Sequence, residues 1–300
     1  MGRSSSPVSS TPRRRRGRRA DVPHAGARLP PRLHQERRTA AAGGRPRVPR
    51  LDIGRVREDP RVPSSALLVA LLVGAALPFV PAVGRVARIA TTIVHEVGHC
   101  VVVVPFGGRI RRIDLHADGS GEAWVDLGRV PRAVRWAVRL GNLYAGYSAP
   151  LWAGALLVIG SVHADHVLTT AVLGVAAVVA VLFVRNAFGV LVVVGFAAVA
   201  VWVAVRPSEW TVLVVAAIGA LFVVDGVRSV VRVAGWIATG APVRTDFHIV
   251  ASEYRLPAAV WYVLFVLVEL GVVWLAHAPL GAVVDTVAVG LRTLVVGVVP

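Results

Sequence analysis

The chain has 300 residues, of which 55% are hydrophobic and only 17% charged, and its mean hydropathy is +0.66. A soluble surface needs about 25% charged residues, so this composition excludes two ordinary water-soluble domains and points to a bilayer. The single cysteine, Cys100, excludes an intramolecular disulfide and a cysteine-built metal cluster. The net charge of +16 is uneven: residues 1–65 hold 17 of the 33 basic residues, all arginine, against 5 acidic ones.

In chain order, residues 1–64 come first. They are rich in Arg, Pro, Gly and Ser, including the run Arg13 to Arg16. Such a segment buries too little apolar surface to offset its ordering entropy, so it reads as a disordered cytosolic tail that meets anionic lipid. No aromatic residue interleaves the arginines, which argues against nucleic acid as a partner. Residues 65–300 form the membrane-embedded domain. Apolar runs long enough to approach a crossing lie at about 65–83, 87–106, 140–161, 167–184, 187–205, 210–225 and 258–277. An eighth, 280–299, is weakened by Asp285 and Arg292. The fold class is therefore an all-α polytopic bundle of about 6–8 transmembrane helices.

Arginine placement orients it. The tail flanks the first run. Arg109, Arg111, Arg112, Arg129, Arg132, Arg135 and Arg139 follow the second, and Arg228, Arg232, Arg244 and Arg255 follow the sixth. All of these belong inside, which predicts a multi-pass protein of the cell membrane with a cytosolic N-terminus. Between the second and third runs, residues 109–127 partly alternate around a turn at Asp118-Gly119-Ser120-Gly121. That pattern predicts a short cytosolic β-hairpin with an open edge for an added strand.

The second run contains His95-Glu96-Val97-Gly98-His99. On a helix, histidines four apart share a face and can bind one metal, with Glu96 beside them as general base. An ionisable side chain at that depth costs a few kcal/mol, and metal ligation is the simplest reason to tolerate it. A binding-only site needs no base, so Glu96 argues against a non-proteolytic zinc-binding scaffold. A transporter would show paired halves, and no internal repeat is visible.

With Gly107-Gly108, the turn at 118–121, Ala145-Gly146-Tyr147, Thr245-Asp246, Leu256-Pro257 and Trp261, this motif resembles the site-2 protease family of intramembrane zinc metallopeptidases, nearest its small bacterial and plant branch. The resemblance spans roughly residues 66–280. It implies Zn2+, hydrolysis of a peptide bond in a membrane protein or peptide substrate, and an aspartate as third protein ligand. Asp225, in Val224-Asp225-Gly226, resembles one ligand element of that family; Asp246 resembles another, although its neighbours Thr245 and Phe247 depart from the pattern. Both stand as candidates. Asn186 is a candidate for binding substrate backbone. Glu269 is an intramembrane acid with no partner readable from sequence.

Overall fold

A computed structural model describes residues 62–296. The basic tail, as far as residue 61, lies outside the described residues. Helix α1 (Ser64–Ala76) is followed by a single 3-10 turn, Leu77–Phe79. Pro81, whose ring suits the first position of a helix, opens α2 (Pro81–Val103), and a 3-10 turn extends it to Phe106. The strands β1 (Arg109–Leu115) and β2 (Gly121–Asp126) come next. Then follow α3 (Arg132–Val162), α4 (His166–Phe183), α5 (Ala187–Val205), α6 (Glu209–Thr239), α7 (Asp246–Tyr254), α8 (Ala258–Leu275) and α9 (His277–Val296). Among the described residues seven helices are long and apolar enough to cross a membrane: α2 with its extension, α3, α4, α5, α6, α8 and α9. This is a polytopic helical membrane protein with one β-hairpin.

The core is built by close helix contacts. A Cβ on Gly98 of α2 would lie 2.4 Å from the carbonyl oxygen of Ala145 in α3, and one on Gly154 of α3 would lie 2.6 Å from that of Gly219 in α6. Small residues let these backbones approach, which is how helices pack where lipid is as apolar as the side chains. Helices α2 and α3 run antiparallel, as do α3 and α6.

Three sequence expectations change. The first run is shorter than a full crossing: α1 and its 3-10 turn cover 16 residues, Ser64–Phe79, about 24 Å at 1.5 Å per residue against a core of about 30 Å. Leu67 packs on Val212 and Ala216, and Gly74 lies against Ala217, so α1 runs in the same sense as α6. Val62 and Val162, the latter at the end of α3, both pack against this cluster.

The sixth run does not stop at Asp225. Helix α6 continues to Thr239 and ends at Gly240 in the left-handed region, φ 63°. Residues 226–239 contain no proline, and their apolar side, Val230, Val233 and Ile237, packs into a cluster with α7 and α8. The weakened run at 280–299 does form a long apolar helix, α9.

The hairpin does not sit at the surface beyond α2. Gly107 takes φ 83°, Gly108 packs on Val103, and the chain doubles back along α2. The turn reaches Thr92, whose hydroxyl donates to the Gly119 carbonyl at 2.9 Å, and Arg88, which packs on Gly119. Alternation explains the insertion: Ile113 and Leu115 are each 1% exposed, wedged among Ile93, Val97, Cys100, Ala180 and Val184.

Candidate metal centre

Helix α2 presents Arg88, Thr91, Thr92, His95, Glu96 and His99 to one cavity of about 920 Å³. The spacing of three and four residues keeps these side chains on one helical stripe. Helix α3 supplies Asn142 and Tyr147 to the same cavity, α6 supplies Asp225, Ser229 and Arg232, and α7 supplies Asp246. The strand β2 forms another wall.

The two histidine Nε2 atoms are 3.2 Å apart. Asp246 Oδ2 lies 3.5 Å from His95 Nε2 and 3.6 Å from His99 Nε2. Around a tetrahedral ion with bonds of about 2.0–2.1 Å, ligand atoms stand about 3.3 Å apart. The observed triangle therefore suits a small divalent ion of that geometry, and the donor set of two imidazoles and a carboxylate is of the right chemistry. The second ring nitrogen of His99, Nδ1, donates to the backbone carbonyl of Asn142 at 2.6 Å. That bond fixes the tautomer that leaves Nε2 free to ligate. In return the Asn142 side-chain amide donates to the His99 carbonyl at 2.6 Å. Gly146 faces the imidazoles directly: a Cβ there would lie 2.5 Å from His99 Nε2 and 2.7 Å from His95 Nε2. The hollow for the rings thus depends on a missing side chain.

Asp246 reaches this point because Gly240 turns the chain and α7 then docks on α3. Thr245 caps α7, its side chain and His248 forming a reciprocal pair of hydrogen bonds, so Asp246 is released from capping and begins the helix. Phe247 is 1% exposed and stacks on Tyr147, centroids 5.1 Å apart. The aromatic neighbour that departs from the family pattern therefore pins the loop that carries Asp246. Burial opposes the charge of Asp246, but His99 and His95 beside it hold its carboxyl below the ordinary carboxylate range. Asp225 is elsewhere: 2% exposed, with Oδ1 3.5 Å from Arg228 and outside the three-residue donor cluster.

Glu96 is 3% exposed and borders the cavity. Its carboxylate lies under β2: a Cβ on Gly121 would come within 2.8 Å of Glu96 Oε1. A family model described as Peptidase M50B-like matches residues 66–276. The chain belongs to this family. It is thus a member of the site-2 protease family of intramembrane metallopeptidases. No curated protein and no solved structure matches the chain.

Other residues of this M50B-like peptidase fall into place around the site. Asn186 is not brought to the cavity. Its amide accepts from the Leu115 N–H at 3.0 Å and donates to the Leu115 carbonyl at 2.5 Å, closing the end of β1. Beside it, the Arg185 N–H donates to the Ile113 carbonyl at 3.1 Å. The β1 edge is therefore sealed, and the open edge belongs to β2. Because Ile113 and Leu115 turn their polar groups away from β2, their partners Ala123 and Gly121 turn theirs toward the cavity. Glu269 has partners invisible in sequence, Ser148 and the Trp152 indole N–H, the latter at 2.7 Å. Asn142, which holds His99, carries no local signal beyond a polar residue in an apolar run, whereas Gly146, which seats it, belongs to the Ala145-Gly146-Tyr147 element of the resemblance.

Proposed function

We propose that this peptidase is a zinc-dependent endopeptidase that cuts membrane-associated protein segments, with His95, His99 and Asp246 holding the ion. The observation that carries this reading is the triangle of donor atoms with the Glu96 carboxylate beside it in one cavity. Zinc, when bound there, would supply Lewis acidity toward a carbonyl and acidify water. Glu96 takes the proton of the attacking water and returns it to the leaving amine nitrogen. Its burial under β2 keeps bulk water from competing for that proton. Substrate lies extended along the open edge of β2, because a helical segment has its carbonyls already bonded. The backbone groups of Gly121 and Ala123 that face the cavity support that register, with Ala123 also within hydrogen-bonding reach of Glu96.

The mouth faces the cytosol of a cell membrane in this proposal, since Arg129, Arg132, Arg139, Arg244 and Arg255 flank it. The basic tail would add attraction wherever it meets anionic lipid, about 1 kcal/mol for each arginine held near the surface. Replacing Glu96 by Gln tests the chemistry. The variant should retain metal at wild-type stoichiometry while cleavage of a co-reconstituted membrane substrate falls by about 10²–10⁴-fold. Undiminished cleavage by Glu96→Gln would remove Glu96 from the mechanism.

A further inference from the structure

The catalytic residues occupy one part of the cavity, and two arginines border another. Arg88 and Arg232 both border the cavity. Among the described residues neither has an ion-pair or hydrogen-bond partner, and the buried Nε of Arg88 is left without an acceptor. Arg228, beside them, donates to the Pro78 carbonyl at 2.5 Å and stacks over Phe79. Arg88, Arg228 and Asp225 all lie within electrostatic reach of Arg232, and Asp225 is paired with Arg228 at 3.5 Å. Carboxylates line the rest of the cavity, but none of them pairs with Arg88 or Arg232, so these two half-buried guanidinium groups keep their donors free. The other arginine–acid contact on the cavity, Arg139 with Glu253 at 2.7 Å, is satisfied.

An uncompensated guanidinium held away from bulk water favours an anion, and its planar fork suits a carboxylate. We infer that Arg88 and Arg232 form a carboxylate-recognising subsite that selects substrates with a negative charge near the scissile bond. This rests on the peptidase reading of the cavity. Position sets the register. Arg88 precedes His95 by seven residues on the same stripe of α2, about 10 Å at 1.5 Å per residue. An extended peptide covers that distance in about three residues at 3.3 Å each. The preferred carboxylate therefore stands about three positions from the cleaved bond, on the side toward the hairpin turn. Gly119 permits this: its φ of 84° and lack of a side chain let the Arg88 stem pack against the turn.

The carboxylate could be an acidic side chain or the C-terminus of a short peptide, and one experiment separates them. The zinc-loaded full-length protein in detergent is given decapeptides of Ala, Val and Leu with Glu, Gln or Lys at single positions. Each is made with a free and an amidated C-terminus, and cleavage is read by mass spectrometry. The wild type should prefer Glu over Gln by about tenfold near the third position. An amide-insensitive preference assigns the side chain; an amide-sensitive one assigns the C-terminus. Arg88→Gln and Arg232→Gln should flatten the Glu-to-Gln ratio, Arg88→Lys should retain much of it, and Arg88→Glu should turn it toward Lys. A purely structural role for these arginines would change all peptides alike and leave the ratios intact. Cleavage without acid preference overturns the subsite and leaves the peptidase reading standing. Acid-selective binding of the same peptides by the Glu96→Gln protein, with no cleavage by the wild type, overturns the peptidase reading and keeps the subsite. Neither binding nor cleavage overturns both.

Discussion

Gly146→Ala adds one methyl group to the wall that faces both imidazoles. The new carbon would stand 2.5 Å from His99 Nε2 and 2.7 Å from His95 Nε2, whereas non-bonded carbon contacts prefer about 3.5 Å or more. Helix α3 cannot readily withdraw from α2, because Gly154 and Leu151 already pack it against Gly219 and Gly226 of α6. The rings must therefore move by about 1 Å, several times the ±0.2 Å within which ligand distances normally fall. Removing a mere supporting contact costs about 10–100-fold in metal affinity, so displacing two ligands should cost at least ~100-fold, about 2.7 kcal/mol. The apo fold moves little, because alanine inside a helix gains about 0.5–1 kcal/mol over glycine and offsets the crowding. Metal content after purification, and zinc retention against a graded chelator, provide the assay. Gly174→Ala serves as control, since nothing lies within 4 Å of a Cβ there. If Gly146→Ala and Gly174→Ala hold zinc equally against the chelator, the ligand triangle is not the metal site.

Three further outcomes follow from the same geometry. Asp246→Asn should lose metal, while Asp225→Asn should keep it and instead leave Arg228 without its charge partner, lowering thermal stability; the opposite pattern of metal content would exchange the two aspartates. Asn142→Ala removes the buried donor to the His99 carbonyl and should cost about 1–3 kcal/mol of stability, together with a weaker grip on zinc; a melting temperature equal to wild type would refute that role. In a Cys100→Ser background, an impermeant thiol reagent on intact cells should label His163→Cys at the far end of α3 but not Ser252→Cys at the mouth, and labelling of Ser252→Cys would invert the proposed orientation.

How much of this was legible in the sequence follows from the range of each interaction. His95, Glu96 and His99 were readable because their relation is local: four residues of helix put both rings on one face. The choice between Asp225 and Asp246 was not, because it depends on α7 docking on α3 about a hundred residues away, through Phe247 and Tyr147. Hydropathy identified most helices but misjudged ends. The polar residues after Asp225 looked like a loop, yet they line a cavity on one side of a continuing helix. Alternation found the hairpin and not its depth, since the direction taken after Gly107 is set by burial of Ile113 and Leu115 against α2, α4 and α5. Asn186 was a candidate for binding substrate backbone, and the partner it finds is instead the backbone of Leu115 in its own chain, a long-range contact that no local pattern announces.

The sealing of β1 leaves β2 as the one free edge of this sheet, and Glu96 sits under its first residue, Gly121. A peptide laid on that edge is gripped by several weak bonds acting together, so its hold is multivalent. Under the proposed activity, hydrolysis would divide the ligand unequally. The half lying toward Asp126 keeps most of the strand pairing, while the half toward the turn keeps little beyond what Arg88 offers. On the proposed peptidase reading, cleavage itself would set the sequence of departure, with the deep fragment leaving the strand first and the mouth-side fragment later.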